Sequence, residues 1–362
     1  MRILSLFLLL GIIGEMPAKP RPALKDGDRV VLVGSTLIER EQRYGFWEMA
    51  IRAAMPGKHL TIRNLGWSGD TVEGHARAGF KTVQVGFQRL VSKVKEAKPT
   101  VIILGYGTNE SFAGKAGLDA FVKNYEKLLD QLASTKARLV FLSPIPLEKL
   151  GAPLPDPAEQ NQRLALYTDA IQALALKRKG LFVDLFHPLQ TSKPRENPLT
   201  DNGMHLTADG YRRTAAVLLR GLGWSHDPRM IHIENSRLTR VPLPCDRLVR
   251  TYIESLERGK HTLTAGKHRA TASASEWKKG VYLKWPLGMD QSEKLRKAII
   301  EKNRLFFHRW RPQNVTYLFG RRKHEQGNNA KEVPQFDPLI KKADASITDL
   351  TVPKTSIKVQ KQ

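Results

Sequence analysis

The sequence predicts an α/β fold, in which a three-layer α/β/α sandwich holds a five-stranded parallel sheet and is followed by a small β-containing and helical C-terminal extension. Two observations support this prediction. Short apolar segments alternate with segments of helical spacing between residues 26 and 223, as in a parallel sheet with crossover helices. With 362 residues, the chain is also long enough to bury a large core and to carry an appendage.

The five predicted strands are short and rich in Val, Ile, Leu or Phe, and they cover residues 29–33, 60–64, 101–105, 139–143 and 181–184. Helices are predicted at residues 37–54, 85–96, 121–133, 157–177 and 208–222. In the third of these helices, Tyr125, Leu128 and Leu132 recur at helical spacing and share one face. Five strands with helices on both sides give the three layers, so the first domain is expected to span residues 26–223.

The alternation of strands and helices stops after residue 223. Residues 231–288 contain short strand candidates with Gly266 and Gly280 where turns are needed, which predicts a small β-rich insert. Residues 289–349 are predicted to form a helical extension with basic and aromatic side chains. Residues 350–362 are predicted to be a flexible tail.

The N-terminus has the pattern of a secretory signal peptide over residues 1–18. Arg2 precedes an apolar run at residues 3–13, and small residues follow as far as Ala18, where we expect cleavage. The alternative is a buried N-terminal helix, but Pro17 and Pro20 interrupt any continuation. A secreted or periplasmic location is therefore predicted, with no transmembrane segment after signal cleavage.

Composition and charge narrow the functional classes. Hydrophobic residues make up 41% and charged residues 26%, which is typical of a folded globular protein and excludes a mainly disordered chain. The formal charge of +24 favours an acidic partner, such as an anionic polysaccharide or an envelope polymer, whereas no nucleic-acid-binding motif is present and export argues against nucleic acid. The single cysteine, Cys245, excludes an intrachain disulfide and a Cys-rich zinc site. No metal or organic cofactor is expected.

Polar residues and glycines follow the predicted strands at the edge where ligands bind in parallel α/β sheets. Four such loops stand out: Gly34, Ser35 and Thr36; the segment NLGWSGDT with Gly69; the segment GYGTNES with Asn109; and the segment TDNGMHLTADGYR with Asp201, Asn202 and His205. Hydroxyls, N–H donors and a histidine are the groups that acyl transfer requires, as nucleophile, oxyanion donors and base.

The order and spacing of these loops resemble the four sequence blocks of the SGNH hydrolases, also called the GDSL esterase/lipase family, over about residues 26–222. In that family a GDS block carries the nucleophilic serine, a glycine and the asparagine of a GxND block join the oxyanion hole, and a DxxH block supplies the base and its partner. The resemblance implies that Gly69 and Asn109 are oxyanion donors and that His205 is the base. It also implies a fold of the SGNH, flavodoxin-like type.

The first block departs from the family pattern, because GDS is replaced by Gly34, Ser35 and Thr36. Thr36 takes the nucleophile position, although its extra methyl group restricts χ1 and crowds the hydroxyl. Ser35 is the alternative nucleophile. A third interpretation gives Thr36 no covalent role, since residues 36–39 also match a capping box formed by Thr36 and Glu39.

The last block departs as well, because the residue three positions before His205 is Asn202, with Asp201 one position earlier. Either residue is a candidate to orient the imidazole. An asparagine adds no negative charge, and the comparable change in a serine protease lowers kcat about 10⁴-fold.

These observations predict a secreted ester hydrolase that removes small acyl groups, with O-acetyl groups on polysaccharide as the expected substrate, through an acyl-enzyme formed on Thr36. The alternative is a catalytically impaired protein of the same fold that binds carbohydrate or cell-envelope polymers. The stretch from residue 306 to 330, with its aromatic and guanidinium side chains, is suited to such an anionic or carbohydrate ligand.

Overall fold

The computed structural model describes residues 23–245, 248–284, 287–312 and 314–362. The predicted signal peptide at residues 1–18 lies outside the described residues. Within the described ranges, no helix is both long and apolar enough to cross a bilayer.

A five-stranded sheet forms the centre of the molecule, and its strands are β1 (Arg29–Gly34), β2 (Thr61–Asn64), β3 (Val101–Gly105), β4 (Arg138–Leu142) and β5 (Leu181–Val183). All neighbouring strands are parallel, in the order β2-β1-β3-β4-β5. The chain thus places β2 on one side of β1 and then crosses over to place β3 on the opposite side of β1. This reversal lies at the carboxyl end of β1, which is the position where parallel α/β sheets generally bind their ligands.

Helices cover both faces of the sheet: α1 (Thr36–Tyr44), α2 (Phe46–Ala53), α3 (Val83–Glu96), α4 (Leu118–Leu132), α5 (Ala158–Lys177) and α6 (Ala208–Gly221). Successive β1 side chains point to opposite faces, so Val30 and Leu32 pack with α1, α2 and α6, whereas Val31 and Val33 pack with α3, α4 and α5. Burial on both faces explains why the central strands β1 and β3 are almost continuously apolar. The predicted three-layer α/β/α fold is confirmed.

The predicted helix at residues 37–54 is two helices, α1 and α2, separated by Gly45. Gly45 adopts φ 70°, a left-handed conformation that ends α1 without strain because glycine has no Cβ. Its N–H bonds the Glu41 carbonyl, and the Glu41 carboxylate accepts from the N–H groups of Trp47 and Glu48 at the start of α2. Helical spacing continues across this break, so periodicity alone did not reveal it.

The β-containing part of the extension comprises β6 (Ile231–Glu234), β7 (Arg237–Leu238), β8 (Val249–Ile253), β9 (Lys260–Ala265), β10 (His268–Ser273), α7 (Ala274–Lys279) and β11 (Val281–Leu283). Its strands form a four-stranded sheet, β11-β8-β6-β7, and a hairpin of β9 with β10. Where the sequence suggests a flexible tail, the structure has a strand, β12 (Lys358–Lys361), which pairs antiparallel with β9. Ile357, next to β12, is buried in the hydrophobic core formed by the β-containing part of the extension. This burial anchors the C-terminal residues.

Three further helices complete the extension: α8 (Met289–Trp310), α9 (Val315–Leu318) and α10 (Phe336–Thr351). Short 3₁₀ helices lie at His75–Arg77, Glu110–Ala113, Lys115–Gly117, Ala133–Thr135, His187–Leu189, Lys323–Gln326 and Asn329–Gln335. The α8 helix packs on the sandwich, where fully buried Lys302 donates to Glu48 of α2 at 2.8 Å and to the Ile62 carbonyl of β2 at 2.9 Å. From α10, Asp344 pairs with Arg52 and Arg63. The helical extension is therefore joined to the sandwich by buried ion pairs.

Candidate active site

Thr36 is the first residue of α1, directly beyond the carboxyl end of β1 and at the reversal of the sheet order. Its hydroxyl oxygen accepts a hydrogen bond from the N–H of Gly69 at 3.2 Å. Ser35 is the N-cap residue of α1; it is 3% exposed and its side chain makes no cap hydrogen bond. Because Thr36 is partly exposed, this geometry favours Thr36 over Ser35 as the hydroxyl that meets a substrate.

The capping-box interpretation of Thr36 and Glu39 is wrong. The Glu39 carboxylate does not turn back to the start of α1 but accepts from the N–H of Ser68 at 2.8 Å, from the Ser68 hydroxyl, and from the Arg311 guanidinium at 2.8 Å. Charged and N–H donors from distant segments therefore replace the local cap. The Thr36 hydroxyl is left to face the loop that carries Gly69.

Gly69 lies in a tight turn over residues 67–70, closed by a hydrogen bond from the Asp70 N–H to the Trp67 carbonyl at 3.0 Å. Its φ of 74° suits the third position of such a turn, where glycine is preferred. Asn109 follows β3, and its side-chain amide donates to the Asp70 carbonyl at 2.7 Å, which brings the third block against the second. One N–H of that amide is used in this bond, and the other remains for a ligand.

A third N–H donor of this group belongs to Thr36 itself and was not singled out in the sequence. The first N–H groups of a helix have no intrahelical acceptor, and Thr36 opens α1. Its backbone N–H therefore joins the Gly69 N–H and the Asn109 amide as a third N–H donor at this edge of the sheet. The sequence signal for it was the helix start that follows the first strand.

His205 lies on a loop closed by a β-bridge between Thr200 and Leu206. Asn202 Oδ1 accepts from the backbone N–H groups of Met204 at 3.1 Å and His205 at 2.9 Å. These two bonds fix the orientation of the amide, because a flipped amide would turn its NH₂ group against two other donors. Asn202 Nδ2 therefore points toward His205 Nδ1, at 3.0 Å.

This contact determines the tautomer of the imidazole. Since Asn202 Nδ2 is a donor, His205 Nδ1 is its acceptor, and the ring proton of the neutral imidazole resides on Nε2. A carboxylate at position 202 would accept from Nδ1–H and leave Nε2 free as a base. In this chain, His205 in its resting form is a hydrogen-bond donor through Nε2.

The Asp201 carboxylate makes no hydrogen bond to the imidazole and instead forms an ion pair with Arg40 of α1 at 2.5 Å. Burial of His205, together with the positive charge of Arg40, lowers the pKa of the imidazole below its usual value, although Asp201 partly opposes this. The ring is thus neutral at neutral pH. Of the two predicted orienting residues, the structure places Asn202 against His205 and Asp201 against Arg40.

Thr36 and His205 lie at the same edge of the sheet, but no hydrogen bond joins their side chains, both of which are described. Contacts between their segments include the Arg40–Asp201 ion pair and a hydrogen bond from the Tyr211 hydroxyl to the Leu37 carbonyl at 2.6 Å.

Three carboxylates that support the site were not proposed as functional from the sequence. Asp70 pairs with Arg77 at 2.6 Å behind the Gly69 turn, and burial raises the pKa of Asp70. Glu110 accepts from the N–H groups of Val72 and Gly107, and burial raises the pKa of Glu110 to about 7. Glu148 accepts from Leu199 and Thr200 at the base of the His205 loop. They stabilise loops, and in the part of the chain that the structure describes no group of His, Cys, Asp and Glu could hold a metal ion.

Comparisons with known proteins agree with this arrangement. Residues 31–213 match the sequence model of the GDSL-like Lipase/Acylhydrolase family. The rice (Oryza sativa subsp. japonica) protein GDSL esterase/lipase WDL1 is 24% identical over 226 residues, which cover 58% of this chain and 80% of that protein. The Arabidopsis thaliana protein GDSL esterase/lipase CPRD49 is 23% identical over 221 residues, 56% of this chain and 79% of that protein.

Among solved structures, BT4096, described as a gut microbial diltiazem-metabolizing enzyme, superposes with a TM-score of 0.65 at 14% identity. The superposition covers 95% of this chain and 99% of that one. At this identity the likeness concerns the fold, and it extends to the C-terminal extension.

Proposed function

Because the chain belongs to the GDSL-like lipase/acylhydrolase family of SGNH ester hydrolases, we propose that it removes small acyl groups, with O-acetyl groups on polysaccharides as its substrate class. The exposure of the site supports a large substrate, since Gly69 and Asn202 are both exposed and an acyl group on a polymer can reach them. The charge of +24 supports an acidic polymer.

The observation that carries this proposal is the hydrogen bond of 3.2 Å from the Gly69 N–H to the Thr36 hydroxyl. It unites the first two sequence blocks at the edge of the sheet, and the Asn109 bond to Asp70 adds the third. A hydroxyl therefore lies beside a group of N–H donors, which is the arrangement that acyl transfer requires.

In the proposed mechanism, the Thr36 hydroxyl attacks the carbonyl carbon of the ester and its proton passes to Nε2 of His205. The N–H groups of Thr36 and Gly69 and the Asn109 amide donate to the oxyanion. His205 then protonates the departing alkoxide, and the acyl-Thr36 ester is hydrolysed by water that His205 activates.

The orientation of Asn202 limits this mechanism. Before His205 can accept a proton at Nε2, the ring must change to the tautomer with its proton on Nδ1, and the bond from Asn202 Nδ2 is then lost. The active tautomer is a minor form, so slow turnover is expected. This same observation favours the second candidate function, an impaired member of the family that binds carbohydrate or envelope polymers.

Hydrolysis of p-nitrophenyl acetate and acetylated xylan by the wild type and by Thr36→Ala and His205→Ala variants tests the proposal. We expect acetate release by the wild type, with a loss in both variants and with mass spectrometry locating the trapped acetyl group on Thr36. Undiminished rates in both variants would exclude the mechanism. If the protein releases no acetate but a polysaccharide column retains it in salt high enough to screen surface charge, the binding function is supported instead.

Export from the cytoplasm is the second part of the proposal and rests on the pattern at residues 1–18. Expression in the native host followed by N-terminal sequencing tests it. A mature chain that begins near residue 19 in an extracytoplasmic fraction is the expected result, and an uncleaved cytoplasmic chain contradicts it.

A further inference from the structure

The turn at residues 67–70 is anchored at each of its non-glycine residues, and the C-terminal extension contributes to two of these anchors. Arg311, directly after α8, places its guanidinium carbon 3.4 Å from the centre of the Trp67 ring. Trp310 meets the same ring edge-on at 5.9 Å between ring centres. Trp67, at the start of the turn, is thus held by two consecutive residues of the extension.

The same guanidinium also controls the next residue of the turn. Arg311 pairs with Glu39 at 2.8 Å, and the other carboxylate oxygen of Glu39 accepts from the Ser68 N–H at 2.8 Å. The side chain of Glu39 is 11% exposed and that of Arg311 is 25% exposed, so solvent screens this pair less than a surface pair. Arg311 thereby keeps the Glu39 carboxylate in place to hold Ser68.

The last residue of the turn is anchored from inside the sandwich, since buried Arg77 pairs with Asp70 and also donates to the Leu65 carbonyl at 2.8 Å. Gly69 is the remaining residue of the turn, and its N–H is the one that points at the Thr36 hydroxyl. A Cβ at Gly69 would have no neighbour within 4 Å, so side-chain packing does not position Gly69 itself. Its direction is set by its anchored neighbours.

We propose that Arg311 is a positioning residue for the esterase reaction, which makes the C-terminal extension part of the active site. Through Trp67 and Glu39, Arg311 holds the turn in the orientation that aims the Gly69 N–H at the reacting oxygen. This inference rests on the proposed function, because it assigns the Gly69 N–H as an oxyanion donor. The sequence predicted that the aromatic and basic stretch beginning at residue 306 contacts a ligand. For Trp310 and Arg311 the proposal replaces this ligand contact with a contact inside the protein, to Trp67.

The test compares Arg311→Gln and Arg311→Lys with a matched control, Arg304→Gln. Arg304 lies on α8 in an exposed pair with Glu301, seven residues before Arg311, so its loss changes the charge equally without touching the turn. We expect kcat to fall about 10-fold or more in Arg311→Gln with little change in KM, since small displacements of a catalytic group reduce rates by one to two orders of magnitude. Arg311→Lys, which keeps the charge but loses the planar stack, should recover part of the rate.

Hydrogen–deuterium exchange of the peptide covering residues 65–72 separates this inference from the proposed function. We expect faster exchange in Arg311→Gln than in Arg304→Gln, with equal melting temperatures for the two variants. Unchanged exchange and unchanged kcat in Arg311→Gln would overturn the inference. If the wild type hydrolyses none of the esters, the proposed function fails, but the exchange rates still decide whether Arg311 holds the turn.

Discussion

Asn202 Nδ2 lies 3.0 Å from His205 Nδ1, and two backbone N–H groups on Asn202 Oδ1 prevent the amide from turning over. This contact places the ring proton of His205 on Nε2, the nitrogen that a general base needs to keep free. An amide in place of a carboxylate at position 202 therefore changes Nε2 of the resting imidazole from a hydrogen-bond acceptor to a donor.

Asn202→Asp is predicted to increase kcat for ester hydrolysis by about 10²-fold. The upper limit is about 10⁴-fold, because the reverse change, Asp to Asn, lowers kcat by about that factor in a serine protease. The new carboxylate accepts from Nδ1–H and frees Nε2. The measurement is the initial rate on p-nitrophenyl acetate. Asn197→Asp, which adds the same charge on an exposed part of the neighbouring loop, is the control and should leave the rate unaltered. A rate no higher in Asn202→Asp than in the wild type contradicts the tautomer argument.

Thr36→Ser is predicted to raise the acylation rate and Thr36→Val to abolish acyl-enzyme formation. Serine keeps the hydroxyl but lacks the methyl group that restricts χ1, and valine keeps the shape but lacks the hydroxyl. Loss of a nucleophile lowers kcat by about 10³-fold or more. Burst kinetics with p-nitrophenyl acetate measure both effects. Acyl transfer at the wild-type rate in Thr36→Val would show that another group is the nucleophile.

The pH dependence of kcat/KM is predicted to show an acid limb below the usual imidazole pKa of 6.5, because burial and Arg40 lower the pKa of His205. The rate rises with pH as His205 loses its proton and then reaches a plateau. Arg40→Gln removes a positive charge and releases Asp201, so the pKa of His205 should rise and the acid limb should move to higher pH. Exposed Arg43 on the same helix gives the control variant Arg43→Gln, whose profile should match the wild type. Identical profiles for all three proteins would contradict the assignment.

Lys302→Ala is predicted to lower the free energy of unfolding by about 3–5 kcal/mol, the typical loss when one partner of a buried ion pair is removed. Lys302 is fully buried and donates to Glu48, which then remains buried with Arg52 as its cation. Urea denaturation measures the change, and exposed Lys294→Ala on the same helix should be within about 0.5 kcal/mol of wild type. Equal stability of the two variants would show that this contact does not join α8 to the sandwich.

The stability contributed by Lys302 also has a predicted pH dependence. Burial lowers the pKa of Lys302 from 10.5 to about 8, so between these values the unfolded chain binds the proton and the folded chain does not. The free energy of unfolding from this group therefore rises as the pH increases from about 8 to 10.5. Comparing the wild type with Lys302→Met over this range isolates the effect. A difference in stability that does not vary with pH contradicts the lowered pKa.

Local sequence patterns were sufficient for the sandwich, and they also indicated at which edge of the sheet the candidate site residues lie. Apolar strands alternating with amphipathic helices dictate a sheet buried on both faces, because the side-chain periods of 2 and 3.6 residues are properties of the backbone. The glycines and polar residues after the strands likewise marked the site, since the carboxyl ends of parallel strands meet at one edge. The break at Gly45 was missed because helical periodicity runs through it.

Contacts that depend on the folded chain decided the rest, and most of them join segments that are far apart in the sequence. The Glu39 carboxylate points toward Ser68 and Arg311 and not toward the start of its own helix. Its partner Arg311 lies 272 positions away in the sequence. Asp201 pairs with Arg40, and Asn202 is the residue that contacts the imidazole of His205. The tautomer of His205 and the anchoring of the Gly69 turn follow from these contacts, because hydrogen bonds and ion pairs depend on distances of a few ångströms that only the folded chain determines.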